Sequence, residues 1–582
     1  MSELISKKDI AKVLKLEKLK LKILAPAIMK LLRLGKLNDA YSNAEGKTGF
    51  EFTDSLLKEF GVAYNVSADD LQNIPKTGPF ILLANHPYGG IDAMILLSVL
   101  SKIRPDIKFV GNFLLKQIPQ LKDHIIAVNP FEDIGNKGMN IVGVKQILIH
   151  LQTSPLGIFP AGEVSALKLN NLKITDKKWE PAVGRIIAKA GVKVVPVYFS
   201  GNNSIAFNLL GLLHPGLRTI KLPSEMLNKQ HSGIRVRIGK AIAFKELEDF
   251  KGERLLNFLR AKTYALGATH IKAHPFRLKL KRLNQPATII NAVNADVLEN
   301  EILLLHNSAN LFTYINFTVH IAAAGDIPNV LKEISRLREI TFREVGEGTN
   351  RSKDSDAFDL YYKHLFIWDQ EAKKIAGAYR IGEGDLLFKR FGVDGFYLSQ
   401  LFKMNKEMYP ILFHSIELGR SFVTAAYQRK PATLMLLWKG INEFLKMNDG
   451  RFQYMIGPVS ISNSFSALSK DLLVAYIRHN YWDKKISKWI KPKKKFHYKS
   501  NKEGRNILLK QHSEDLKRLD SFIGEIEGNQ KLKMPVLVKK YLKLNGKIVS
   551  FNVDPHFNDA LDGFLIIEIK DIPNEAFDMV SR

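Results

Sequence analysis

Histidine and aspartate stand close together in Ala84-Asn85-His86-Pro87-Tyr88-Gly89-Gly90-Ile91-Asp92, where an apolar run ends in a Gly-Gly turn and a helix is expected from about Ile91. This pairing suits proton removal from a hydroxyl: the imidazole takes the proton, while the carboxylate holds its tautomer and stabilises the imidazolium. The same residues also suit a plain helix start, with Asp92 at the positive end of the dipole and His86 in the turn. Two further loops carry polar groups after apolar runs. Gly157-Ile158-Phe159-Pro160-Ala161-Gly162-Glu163-Val164-Ser165 offers a carboxylate and a hydroxyl, and Val194-Val195-Pro196-Val197-Tyr198 leads into Ser200-Gly201-Asn202-Asn203. Open α/β sheets bind ligands beyond the carboxyl ends of their strands, so the three loops can converge. Lys137, Lys145 and Arg185 are cations that could hold a phosphate or carboxylate, or simply be solvated charges.

The second half is dense in arginine and acid: Arg338, Glu339, Arg343, Glu344 and Glu347, then Asp356 to Tyr362, Arg380, and Glu417-Leu418-Gly419-Arg420. On pattern alone a surface laced with ion pairs accounts for these as well as a site does. The fifteen histidines show no paired ligand spacing, so no metal is expected. The chain has no cysteine, which excludes a thiolate nucleophile, Cys-ligated zinc, iron–sulfur clusters and disulfides.

The elements that must position these groups read as α/β. Phe80–Ala84, Lys108–Gly111, Gly157–Phe159 and Val192–Phe199 are short apolar runs separated by helical stretches. Beyond a polar stretch around Pro286, strands are expected at Leu365–Asp369, Ile375–Arg380, Gln453–Ile456 and Phe564–Ile569, with a long helix at Pro431–Met447. A length of 582 residues with 46% hydrophobic and 25% charged residues is ordinary globular composition for more than one domain. The expected division is basic amphipathic helices over 1–40, a first α/β domain over 41–285, a linker or helical connection over 286–330 and a second α/β domain over 331–582.

With 86 Lys plus Arg against 58 Asp plus Glu, the net charge of +28 points to anionic partners. No apolar run reaches the roughly 18 residues a membrane span needs. Lysines between Lys7 and Lys22 interrupt any signal-peptide core, so the chain is expected in the cytoplasm. Lys7 to Leu34 reads as a basic amphipathic helix, either an interfacial anchor or a helix packed on the domain. A second basic stretch, Lys484 to Lys499, interleaves Trp489, Phe496, His497 and Tyr498; it suits a carrier or membrane contact, and no nucleic-acid module accompanies it.

The ordered set NHPYGGID, FPAGEVS and VVPVYF resembles the blocks of glycerophospholipid acyltransferases, in the branch often labelled hemolysin-like. Two departures stand out: five residues separate His86 from Asp92 where the family has four, and Ala161 follows Phe-Pro where the family has Glu. The resemblance implies that His86 deprotonates an acceptor hydroxyl, that Asp92 orients His86, and that Phe159, Pro160, Gly162, Glu163 and Ser165 line the acceptor site. The second half resembles the GNAT-like N-acyltransferases of ornithine-lipid synthesis and, more distantly, acyl-homoserine-lactone synthases. That implies Glu417 as the base for an attacking amine and Arg380 and Arg420 as substrate-positioning groups, with Asp359 and Glu344 in reserve.

Together the halves resemble bifunctional ornithine-lipid synthases. The implied scheme is N-acylation of an amino acid with a 3-hydroxyacyl group by the second domain, then O-acylation of the 3-hydroxyl by the first. Both steps would use an acyl carrier protein or acyl-CoA thioester as co-substrate, with no bound cofactor, at the inner face of the cytoplasmic membrane. Two other readings are a lysophospholipid acyltransferase whose second half only docks the carrier, and a non-catalytic peripheral membrane protein.

Overall fold

A computed structural model of the chain describes residues 32–112, 118–128, 141–168, 173–213, 215–229, 233–268, 286–428, 430–500, 502–512, 515–529 and 532–573, with a few positions between 26 and 30. The basic helix expected over Lys7–Leu34 and the cation Lys137 lie almost wholly outside these residues. The chain forms two compact units. One is Met1–Ala273 with Lys502–Gln511 and Ser521–Lys531; the other is His274–Asn501 with His512–Asp520 and Leu532–Arg582.

In the first unit the strands are β1 (Ala63–Asn65), β2 (Phe80–Ala84), β3 (Lys108–Asn112), β4 (Ile125–Val128), β5 (Leu156–Ile158), β6 (Ala166–Lys168), β7 (Lys173–Thr175), β8 (Lys193–Phe199) and β9 (Gly233–Ile238). Seven of them make a sheet in the order β1-β9-β8-β2-β5-β3-β4, while β6 and β7 form a separate hairpin. The pairings β8–β2, β2–β5, β5–β3 and β3–β4 are parallel.

Side chains alternate across a pleated strand, and both faces of β2 are covered. Phe80, Leu82 and Ala84 pack with helices Gly49–Glu59 and Gly90–Leu100. Ile81 and Leu83 pack on the opposite face with helices Ile141–His150, Pro181–Ala190 and Glu253–Ala265. Burial on both faces explains the unbroken apolar run of β2 and why helix Gly90–Leu100 is apolar nearly all round. Gly157 on β5 is fixed by close approach: a Cβ there would lie 2.2 Å from the Phe109 ring.

The second unit holds β10 (Asn310–Tyr314), β11 (Phe317–Ala323), β12 (Lys363–Asp369), β13 (Lys374–Glu383), β14 (Phe402–Met404), β15 (Ser415–Val423), β16 (Tyr454–Ile461), β17 (Ile490–Pro492), β18 (Lys547–Asp554) and β19 (Ala560–Glu568). Eight of them form one sheet, β10-β11-β12-β13-β15-β16-β19-β18. Neighbours are antiparallel except β15 and β16, which run parallel and pair only over Ser415–Glu417 with Tyr454–Ile456. Beyond that point β15 continues along β13 and β16 along β19, so the two strands part in a V. Helix Pro431–Met447 makes the crossover that a parallel pair requires. A Cβ at Gly457, where the strands separate, would lie 2.2 Å from the Leu418 carbonyl oxygen.

The stretch 286–330, expected as a linker, contributes helix Ala295–Leu303 and strands β10 and β11 to the second unit. Strand β11 in fact alternates, Phe317, Val319 and Ile321 with Thr318 and His320, whereas β10 does not.

Candidate active sites

The turn after β2 brings His86 and Asp92 together. Asp92 Oδ2 lies 2.9 Å from His86 Nδ1 and also accepts the amides of Tyr88 at 2.9 Å and Gly89 at 3.1 Å. The helix cap and the histidine partner are thus one carboxylate. Gly89, at φ +85°, lets the chain turn sharply enough to aim both amides at it. Burial pushes the Asp92 carboxyl upward, opposed by the His86 hydrogen bond and charge and by the two amides. With Nδ1 donating to the carboxylate, Nε2 is the nitrogen left to accept a proton. The side chain of Asp92 is fully buried while His86 is 17% exposed, so the pair opens toward solvent on the imidazole side. Phe159 stacks on that imidazole, with ring centroids 4.1 Å apart.

A second carboxylate, unremarked in the sequence, holds the backbone of His86. Asp176 is fully buried, and its Oδ1 accepts the His86 amide at 3.2 Å and the Ser165 hydroxyl at 2.5 Å. Ser165 in turn donates its amide to the His86 carbonyl at 2.8 Å. Trp179 donates its indole N–H to Asp176 Oδ2 at 3.1 Å. Ser165 therefore supports His86 from below. The acceptor-lining role implied for its side chain is corrected, because the hydroxyl points inward at a buried carboxylate. The only sequence signal for Asp176 is a lone acid and tryptophan three positions apart, which no motif reading selects.

Glu163 stays at the surface side of the loop, 2.6 Å from Arg218 and 3.7 Å from Lys177. Pro160 is buried, and Gly162 takes a positive φ of +67° in the turn between them. Tyr88 anchors the third loop: its hydroxyl donates to the Ser200 carbonyl at 2.7 Å, and a Cβ on Gly201 would meet that hydroxyl at 1.9 Å. The Lys229 ammonium lies 4.9 Å from the Tyr88 ring centroid and 3.7 Å from the buried Glu225. Lys145 and Arg185 are exposed on their helices.

In the second unit the acids and arginines form a buried lattice. Asp359 accepts from Arg338 at 2.8 and 2.9 Å and from Arg380 at 3.0 Å. Burial would raise its carboxyl, but the two guanidiniums outweigh that and hold it far below the usual carboxylate range. Arg380 also bonds Asp356 at 2.6 Å, is only 1% exposed, and is ringed by Phe358, Tyr362 and Tyr397. Arg420, in the left-handed region at φ +49°, reaches Asp354 at 3.1 Å and Asp356 at 3.3 Å.

Residues 44–272 match the acyltransferase family, and residues 337–439 match the acetyltransferase (GNAT) domain. A glycine N(alpha)-acyltransferase of Phocaeicola vulgatus is 30% identical over 272 residues, which cover 44% of this chain and 80% of the relative. The chain belongs to the acyltransferases, with an acyltransferase domain first and a GNAT domain second. The glycine N(alpha)-acyltransferase of Bacteroides thetaiotaomicron is 30% identical over 302 residues, 49% of this chain and 86% of the relative. A lyso-glycine lipid O-acyltransferase from the same species is 25% identical over 265 residues, 44% of this chain and 90% of the relative.

Within the GNAT domain the base role expected of Glu417 does not fit. Glu417 is buried, and its oxygens accept from the Tyr362 hydroxyl and from the amides of Tyr397 at 2.9 Å and Leu398 at 2.7 Å. It ties β15 to the segment at 397–398 and has no room for an amine. Arg380 is enclosed among aromatic rings and acids, with its Nε and one Nη making no hydrogen bond to the described residues, and Glu344 is exposed at the end of helix Pro328–Glu344.

Glu347 is another carboxylate in this unit. Its loop lies against the far end of β16, with the Ser462 hydroxyl donating to the Val345 carbonyl at 2.9 Å. Burial pushes its carboxyl up to about 7. Asp562 on β19, bonded by the Ser460 hydroxyl at 2.6 Å, is pushed up to about 8 by burial and by the charges of Asp554 and Glu347. Among the described residues no group of three or more acids or histidines is arranged to hold a metal, and no helix is long and apolar enough to cross a membrane.

Proposed function

We propose that the chain makes an amino-acid-containing membrane lipid by two acyl transfers, with glycine as the amino acid. The observation that carries the O-acyl step is the buried Asp92 held 2.9 Å from the Nδ1 of a histidine that opens to solvent. The names of the relatives, glycine N(alpha)-acyltransferase and lyso-glycine lipid O-acyltransferase, support one activity of each kind on a single chain.

In the GNAT domain the amine of the amino acid attacks the thioester carbonyl of a 3-hydroxyacyl donor. The C–N bond forms, the C–S bond breaks and the amine proton passes to Glu347, which a carboxyl titrating at about 7 can accept at neutral pH. Arg420, with Asp354 and Asp356 fixing its guanidinium, is the cation available for the substrate carboxylate. In the acyltransferase domain the 3-hydroxyl of this product attacks a second thioester. His86 Nε2 takes the hydroxyl proton, Asp92 stabilises the imidazolium, and the departing thiolate takes the proton back. An acidic acyl carrier protein is the proposed donor, in keeping with the +28 charge and with the exposed lysines between Lys484 and Lys499.

Expression of the chain in a bacterium without aminolipids, followed by mass spectrometry of its lipids, tests the reading. A diacylated glycine lipid is expected; His86→Ala should leave the monoacylated amide, and Glu347→Gln should lower both products. Altered phospholipid chains with no amide would instead leave the acyltransferase domain as the sole enzyme.

A further inference from the structure

The loop after β8, Ser200-Gly201-Asn202-Asn203, is tied to the turn that carries His86 and Asp92. Asn85 pins the end of β8: its Oδ1 accepts the Phe199 amide at 2.7 Å and its Nδ2 donates to the Phe199 carbonyl at 3.0 Å. The Tyr88 hydroxyl then holds the Ser200 carbonyl. Lys229, buried beside the same loop, donates its ammonium to the Asn202 carbonyl at 3.2 Å, and burial lowers its pKa against the opposing charges of Glu225 and Asp92. Three residues span at most about 11 Å, so Asn203 stays within that distance of Ser200.

Two asparagines five positions apart are buried here, and they differ. Asn208 is fully bonded: its Oδ1 accepts the Leu167 amide at 3.1 Å, and its Nδ2 donates to the carbonyls of Asn203 and Ser204. Asn203 is 5% exposed, yet neither its Oδ1 nor its Nδ2 has a hydrogen-bond partner among the described residues. The next residue, Ser204, gives both its amide and its hydroxyl to Glu225, at 2.9 and 2.7 Å. Each unpaired buried polar group costs about 1–3 kcal/mol, a cost that an aliphatic side chain of similar size would avoid. A carboxamide kept in that state at the edge of a reactive site suits a partner that arrives with the substrate.

The chemistry of the side chain narrows that partner. A carboxamide sets a donor beside an acceptor, and a secondary amide complements both. Phosphate and ester oxygens accept only, and would leave Oδ1 unpaired. The N-acyl amino acid taken above as the acceptor carries such an amide one methylene away from the carbon that bears the reacting hydroxyl. Its amide therefore enters the neighbourhood of the imidazole whenever the hydroxyl does.

We propose that Asn203 is a specificity-determining residue of the acyltransferase domain, pairing its carboxamide with the amide of the acceptor. The inference rests on the reading of that acceptor as an N-acyl amino acid. It favours amide-linked acceptors over those that lack an N–H, because a substrate without one leaves a buried polar group unpaired in the complex.

The test gives the purified full chain an acyl thioester and one of three acceptors: N-(3-hydroxypalmitoyl)glycine, the matching glycolate ester in which oxygen replaces the N–H, and lysophosphatidic acid. The parent should prefer the amide over the ester by about tenfold or more in kcat/KM for ester formation. Asn203→Leu should bring that ratio near one, leave the KM of the acyl thioester unchanged, and melt no lower than the parent. Asn203→Ala, which adds no bulk, should lose the preference in the same way. A parent indifferent between amide and ester, or a preference that survives in both variants, would overturn the inference while leaving the functional reading standing. Acylation of lysophosphatidic acid alone would overturn both.

Discussion

At the scale of single residues, the proposed O-acyl transfer rests on one imidazole and two buried carboxylates with different tasks. Asp92 touches the ring, so Asp92→Asn should cut ester formation about 10²–10⁴-fold, the usual range for general acid–base assistance, measured as kcat with a saturating acceptor. Asp176 acts through the backbone of His86. In Asp176→Asn the carbonyl can still accept from His86 and Ser165, but the new amide would face the Trp179 N–H, donor against donor. A cost of about 1–3 kcal/mol in stability is expected, with kcat for ester formation lowered and KM little changed. In the GNAT domain Glu347 joins stability to function. Burial holds its carboxyl near 7, above the ordinary value of 4.5, so ionising it costs folding free energy as pH rises through that window. Glu347→Gln should therefore be more stable than the parent at pH 8, match it at pH 4, and lose the rise in amide formation across pH 7.

At the scale of elements, the parts read most directly from sequence are those buried on both faces. The expected Phe80–Ala84 and Pro431–Met447 coincide with β2 and the crossover helix, because continuous apolar runs and helical periodicity signal burial without knowledge of neighbours. Strand β15 was not legible. Its Glu417, Gly419, Arg420 and Ser421 look like a polar loop, and its pairing with β13 and the lattice of Arg338 and Arg380 with Asp354, Asp356 and Asp359 make that sequence a strand. The site divides in the same way. His86 and Asp92 are six positions apart and visible as a pair, whereas Asp176 and Glu347 gain their meaning from burial and from partners distant in sequence. The V between β15 and β16 has its own test. Gly457→Ala would press a Cβ on the Leu418 carbonyl oxygen, which cannot swing away, so a loss of about 1–3 kcal/mol and lower amide formation are expected, with ester formation from a supplied acceptor unaffected.

At the scale of the whole molecule, one strongly basic chain joins two compact units, an acyltransferase domain and a GNAT domain. The second unit also holds buried histidines, His320 and His364, whose pKa values burial depresses to about 4 from 6.5. Their contribution to stability is present above pH 6.5 and is lost as pH falls toward 4, because the unfolded chain takes up the protons first. Near-ultraviolet circular dichroism should show tertiary structure of the parent weakening across that interval, and less so in His320→Gln. The central claim is that the halves act in sequence, the amide first and the ester on its hydroxyl. The most direct measurement gives the purified full chain isotope-labelled glycine with a 3-hydroxyacyl carrier thioester and a second acyl thioester, and resolves the products by mass spectrometry. The expected result is a labelled diacyl lipid from the parent and a labelled monoacyl amide alone from His86→Ala; diacylation by His86→Ala, or no label in any lipid from the parent, would contradict it.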